Sequence, residues 1–119
     1  MEIAIVGAGP VGCYTSWLLA KRGHTVHLFD KKKRSQIGKP VQCTGIFPSE
    51  IKKYVPLDSS YLVNTFFKAQ IISPNGERVT LKKEEYLFDR TKFDQYLVDL
   101  AVKQGAIFYP QHQLVEMNK

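Results

Sequence analysis

The chain has 119 residues, a formal net charge of +6 and 44% hydrophobic residues, enough for one small globular core. No apolar run approaches the ~20 residues of a membrane span. Glu2 stands where a signal peptide needs basic residues, and glycines break the first apolar run at once, so a cytoplasmic location is expected. The two cysteines, Cys13 and Cys43, belong to no CxxC and to no Cys/His cluster, so neither a metal site nor a structural disulfide is expected.

The first thirty residues carry the strongest signal. An apolar run over residues 2–6 predicts a strand. It leads into Gly7-Ala8-Gly9-Pro10-Val11-Gly12, a Gly-rich turn opening a helix predicted from Pro10 to Arg22. Pro10 suits the first helical turn, where its missing N–H would be unpaired anyway. Val11, Tyr14, Leu18 and Leu19 are expected on one helical face, Cys13 and Trp17 are read as packing residues, and Gly23 ends the helix. A second strand is predicted over 25–29, and Asp30 follows it, 18 residues past Gly12. Strand, glycine turn, helix, strand and terminal acid form the βαβ unit of a dinucleotide site. Gly7 permits the turn, Gly9 admits a pyrophosphate and Gly12 lets helix and strand approach. The helix start offers free N–H groups and the positive end of its dipole, and Asp30 can accept hydrogen bonds from ribose hydroxyls. Because that carboxylate would repel a 2′-phosphate, NADP is disfavoured on this turn, whereas NAD and FAD both stay open.

Lys31-Lys32-Lys33-Arg34 reads first as a solvated loop. Attraction to an anionic cofactor or an anionic lipid surface is the alternative. Nucleic acid is not expected, since the cations are not interleaved with aromatics and no recognition motif appears. Residues 31–45 show no periodicity and are rich in Gly and Pro, and so long a loop inside a small domain points to function. A short helix is predicted over 48–55. Two strands follow over 66–73 and 77–82 around Pro74-Asn75-Gly76, a hairpin signal in which both Asn75 and Gly76 tolerate positive φ. Leu87-Phe88 reads as another short strand. A second helix is expected with Thr91 as N-cap, Asp94 in its first turn, and Phe93, Leu97, Leu100 and Ala101 as its apolar stripe. Residues 106–109 read as the third parallel strand, and 113–117 as the start of another. His24 and His112 read as surface residues and His27 as a strand position, none with a partner. Three parallel strands are few for a dinucleotide fold, so the chain is expected to be the N-terminal part of a larger enzyme.

Three blocks resemble the FAD-dependent geranylgeranyl reductases, and among them the archaeal digeranylgeranylglycerophospholipid reductases: Val6–Gly12 with Asp30; Ile37-Gly38-Lys39-Pro40-Val41-Gln42-Cys43-Thr44-Gly45; and residues 89–97 followed by Gly105-Ala106. Where the archaeal pattern reads Cys-Gly-x-Gly, this chain has Cys43-Thr44-Gly45. The resemblance implies an α/β fold: a Rossmann-like FAD-binding domain (1–60 and 85–119), incomplete, with an inserted antiparallel hairpin (61–84) as the first piece of a substrate-binding sheet. Gly7, Gly9, Pro10, Val11 and Gly12 would hold the FAD pyrophosphate and Asp30 its ribose. Leu114 would meet adenine, and Arg90 would reach the phosphates or ribose. Cys43, Thr44 and Gly45 would line the isoalloxazine side, with Cys43 the candidate catalytic residue. The implied substrate is a prenyl lipid or another apolar molecule, with peripheral membrane contact and an electron donor open between NAD(P)H and ferredoxin. A flavin monooxygenase or halogenase of the same superfamily, and a non-catalytic nucleotide-binding fragment, are the alternatives. On the residues alone, Arg90 reads as a surface cation and Cys43 as a buried, inert thiol.

Overall fold

Three β-branched and aliphatic runs build a parallel sheet: β1 (Glu2–Val6), β2 (Thr25–Phe29) and β6 (Ile107–Tyr109), in the order β1-β2-β6. Helix α1 (Pro10–Lys21) joins β1 to β2, and α2 (Arg90–Gln104) leads into β6. The structure, a computed structural model, describes residues 1–118. By internal contacts the chain divides into two units, Met1–Val41 with Thr91–Lys119, and Gln42–Arg90.

In the first unit, strand alternation sends Ile5 and Val26 to one face. There Val26, Ala101 and Ala106 form a buried cluster against which Ile5, Trp17, Leu19 and Ala20 pack. Burying one such aliphatic side chain is worth about 1.5–3 kcal/mol. The face of α1 that is fully buried is Cys13 and Ser16, not Val11, which is 80% exposed. The helix approaches β1 so closely that only small side chains fit beneath it, and Ser16 satisfies its hydroxyl on the Gly12 carbonyl at 2.7 Å. The other sheet face carries Ala4, Val6, His27, Phe29 and Tyr109. Phe29 and Tyr109 stack at 4.7 Å. His27 has partners after all: Nε2 lies 3.0 Å from Glu2 Oε1, and Nδ1 lies 3.1 Å from the Tyr109 hydroxyl.

Residues 30–41 contain a 3-10 turn (Arg34–Gln36) and are stitched to α2. Thr91 Oγ1 donates to the Gly38 carbonyl at 3.1 Å, so Thr91 lies inside the helix instead of capping it. Gln95 Nε2 donates to the carbonyls of Ile37 (3.2 Å) and Ser35 (3.3 Å). Arg34 donates to the Gln95 carbonyl and, at 2.7 Å, to the Asp99 carboxylate. Arg34 and Lys32, whose Nζ donates to the Lys39 carbonyl, are thus structural members of the basic run, while Lys31 and Lys33 are exposed. The buried face of α2 is Phe93, Asp94, Leu97, Val98 and Ala101. Residues 113–117 form no strand.

The second unit is an antiparallel sheet in the order β3-β5-β4, with β3 (Ile46–Pro48), β4 (Leu62–Ile72) and β5 (Arg78–Phe88). The region expected as a helix is a 3-10 segment, Ser49–Lys53. Both hairpin strands are longer than predicted, and Leu87-Phe88 is the end of β5, not a separate strand. Only Gly76, and not Asn75, has positive φ (89°). Pro74 fixes a negative φ at the second turn position, and a type I turn closed by Gly76 N–H to Ser73 O (2.9 Å) forms. Phe88 is the centre of an aromatic core, with Phe47 and Tyr61 rings each 4.8 Å away. Beyond it the ribbon is amphipathic. Register pairs Ile71 with Val79 and Ala69 with Leu81 on one face, and Lys68 with Lys82 and Gln70 with Thr80 on the other.

Gly38 packs so tightly that an added Cβ would meet Thr91 Cα at 2.8 Å, with φ at +79°. Gly38→Ala is therefore expected to destabilise the protein by about 1–3 kcal/mol in urea unfolding, the usual cost of forcing a group into a filled site.

Candidate functional site

The chain leaves β1 into Gly7, whose φ of +105° is open to glycine and strained for other residues. Its N–H donates to the Phe29 carbonyl at 2.7 Å, which ties the turn to the exit of β2. Helix α1 then starts at Pro10 with Gly9 as N-cap and no side chain capping its end. The first helical bond is Cys13 N–H to Gly9 O at 3.0 Å. The N–H groups of Val11 and Gly12 therefore precede the hydrogen-bond ladder and point outward. A Cβ at Gly9 would meet nothing within 4 Å, whereas one at Gly12 would land on the Gly7 carbonyl oxygen. The two glycines thus differ in kind: Gly12 is filled against the strand, and Gly9 faces open space. The result is an uncovered helix mouth of positive potential at the carboxyl ends of the parallel strands, where open α/β sheets place their ligands.

Asp30 stands at that same edge. Its Oδ2 accepts the Ala8 N–H and its Oδ1 the Lys32 N–H, both at 2.8 Å. A carboxylate has about four acceptor positions, so capacity remains for ligand hydroxyls. Leu114 lines a half-open apolar cavity of about 460 Å³ with Ala4, Val6, Phe29, His112, Gln113 and Met117. Gly7, Gly9, Pro10, Val11, Gly12 and Asp30 are thus brought together in the first unit, with Leu114 on the neighbouring sheet face. Cys13, just inside the helix, is buried and donates from Sγ to the Ala8 carbonyl at 3.3 Å. Burial, aided by the nearby Asp94 and Asp30 charges, pushes its thiol up to about 12.

The second unit holds Cys43, Thr44, Gly45 and Arg90. Cys43 is exposed, against the buried, inert reading. The Gly45 N–H and then the Arg90 guanidinium, with a smaller part from the Thr44 hydroxyl, hold its thiol below the usual range. Arg90 is half-buried, its guanidinium 5.7 Å from the centre of the Phe47 ring, so it is no free surface cation. Gly45 is where the backbone closes on Phe88: a Cβ there would strike the Phe88 carbonyl, and Phe88 N–H donates to Gly45 O at 2.8 Å. Sequence reasoning alone missed this arrangement, because it depends on strand pairing that brings residue 45 beside residue 88. Among the described residues no group of three His, Cys, Asp or Glu side chains is placed to hold a metal.

Residues 5–38 match the family model of the NAD(P)-binding Rossmann-like domain. The chain is 35% identical over 112 residues to digeranylgeranylglycerophospholipid reductase 1 of Methanococcoides burtonii, covering 88% of this chain and 27% of that protein. It is 36% identical to the digeranylgeranylglycerophospholipid reductase of Methanoculleus marisnigri, covering 88% and 28%. Among solved structures, a geranylgeranyl bacteriochlorophyll reductase-like protein of Thermoplasma acidophilum matches at TM-score 0.85 and 28% identity, over 92% of this chain and 30% of that one. The halogenase PltM matches at TM-score 0.69 and 18% identity, over 99% and 29%, a likeness of fold alone. The chain thus resembles geranylgeranyl reductases along most of its length and has a mixed α/β, Rossmann-like fold. The chain spans a little over a quarter of the length of these curated relatives.

Gly12→Ala is expected to destabilise the protein by about 1–3 kcal/mol, since the strand backbone must move. Gly9→Ala should cost no more than about 1 kcal/mol, the scale of a weakened N-cap, and should weaken nucleotide binding. Thermal unfolding and calorimetric titration of both variants check this. At near-neutral pH iodoacetamide should label Cys43 and spare Cys13. Cys43 should stay reactive to lower pH than a free cysteine, and Arg90→Ala should move its labelling profile upward in pH, as read by mass spectrometry.

Proposed function

We propose that this chain is the FAD-binding part of an oxidoreductase that saturates the isoprenoid (geranylgeranyl) double bonds of a lipid. The observation that carries the reading is the uncapped mouth of α1, with Val11 80% exposed and the Asp30 carboxylate beside it. Amides that precede the helical hydrogen-bond ladder, a glycine facing open space and an acid with acceptor capacity to spare suit an adenine dinucleotide. The identity of 35–36% to digeranylgeranylglycerophospholipid reductases directs that reading from NAD towards FAD and from a generic nucleotide site towards prenyl-lipid reduction.

In this proposal the N–H groups around Val11 and Gly12 bind the pyrophosphate, Asp30 accepts from the adenosine ribose and the Leu114 backbone meets adenine. Bound FAD supplies the two-electron chemistry. Cys43, Thr44 and Gly45 are assigned to the isoalloxazine side, and Arg90 to the phosphates or ribose. Cys43 is the candidate catalytic residue, since the Gly45 N–H and Arg90 favour its thiolate and hold the thiol below its usual range. The hairpin is read as the start of a substrate-binding sheet, a reading its exposed apolar face of Phe67, Ile71, Val79 and Leu81 supports. No helix among the described residues is long and apolar enough to cross a membrane. The closer relatives favour a reductase over the halogenase reading, because the halogenase likeness is one of fold alone.

Calorimetric titration of the 119-residue chain with ADP, FAD and NADP tests the site. ADP and FAD are expected to bind with comparable affinity, and NADP much more weakly because Asp30 repels its 2′-phosphate. Absence of ADP binding would refute the nucleotide reading. Oxygen-independent saturation of a prenyl chain by flavin-loaded protein, as opposed to oxygen-coupled hydroxylation, separates reductase from monooxygenase.

A further inference from the structure

Residue 30 is held at four points. Its Oδ2 accepts the Ala8 N–H and its Oδ1 the Lys32 N–H, both at 2.8 Å. Its own N–H donates to the Tyr109 carbonyl at 3.1 Å, and its carbonyl accepts the His112 N–H at 2.9 Å. Ala8 is 1% exposed, so its amide has little water to turn to if the carboxylate is removed. It sits in the middle of the Gly7–Gly9 turn, whose conformation decides where the Gly9, Val11 and Gly12 amides point.

We propose that Asp30 is a positioning residue: its carboxylate clasps the Ala8 amide and sets the glycine turn in its anion-receiving shape before any ligand arrives. The ligand half of this inference rests on the reading of the first unit as a nucleotide site, while the clasp is a property of the free chain. Asp is the side chain whose length fits. A glutamate would carry the carboxylate one methylene further and could not hold Ala8 and Lys32 in the same geometry.

The test separates clasping from ribose contact. In wild type, Asp30→Ala and Asp30→Leu, binding of ADP and of 2′,3′-dideoxy-ADP is measured by calorimetry, and hydrogen exchange at the Ala8 amide is measured without ligand. Removing the clasp is expected to speed Ala8 exchange by about tenfold or more and to lower the affinity for 2′,3′-dideoxy-ADP by about tenfold, the scale of a lost charged hydrogen bond, and that for ADP by at least as much, since ADP also loses its ribose contact. Unchanged Ala8 exchange, or an affinity loss confined to ADP, would overturn the proposal. If Asp30→Ala does not fold, Asp30→Leu, which keeps the volume and removes both acceptor oxygens, decides between the same outcomes. If wild type binds neither nucleotide, the functional reading fails, and Ala8 exchange still decides the clasp.

Discussion

Everything in the first unit follows from how closely α1 must start to the end of β1. Only three residues separate the strand from the helix, and Gly12 comes down on the Gly7 carbonyl with no room for a side chain. That contact fixes the helix axis. It leaves the helix floor to Cys13 and Ser16 and turns Val11 outward. The open helix mouth and the small-residue interface are therefore one steric fact seen from two sides. Larger residues at 13 or 16 would lift the helix and spoil the aim of its first amides.

The same economy explains why the long loop after β2 is ordered although it has no apolar rhythm. Ile37 is its one buried anchor, and the rest is held by side chains of α2 bonding to loop carbonyls: Thr91 to Gly38, and Gln95 to Ser35 and Ile37. Such bonds to backbone acceptors order a loop without hydrophobic periodicity. The Arg34–Asp99 pair is half exposed and adds little by charge alone, but Arg34 also bonds the Gln95 carbonyl, which gives it a geometric role.

This is where the sequence was legible and where it was not. β1, β2 and the extent of α1 follow from local pattern and glycine punctuation, and the structure places them within a residue of the expectation. The orientation of α1 did not follow, since a count of apolar residues favours Val11 and Leu18, and only the close approach at Gly12 makes Ser16 an interior residue. The hairpin follows from Asn75-Gly76, whereas its turn type depends on Pro74, which leaves positive φ to Gly76 and not to Asn75. The full strand lengths were missed because Lys and Glu in β5 hide a pairing that the backbone of β4 supplies. Partners 25 or more residues apart, such as His27 with Glu2 and Tyr109, leave no local trace.

The two units also answer negative charge in different ways. In the first, the donors are backbone amides at a helix start, aimed by packing and independent of any cation. Their strength is set by geometry and changes little with pH. In the second, the Gly45 N–H and Arg90 converge on Cys43, so the charge they stabilise is one the protein carries itself. A thiol in such a setting is acidic because the donors are fixed before it ionises: Gly45 by its tight approach to Phe88, Arg90 by its seat over Phe47. Cys13 makes the contrast within one chain. It has the same side chain with an acceptor in place of donors and with full burial, and the result is a thiol that stays protonated. Reactivity here is thus decided first by burial, and then by whether donors and a cation or carboxylate charges surround the sulfur, a distinction the cysteine's sequence neighbours do not reveal.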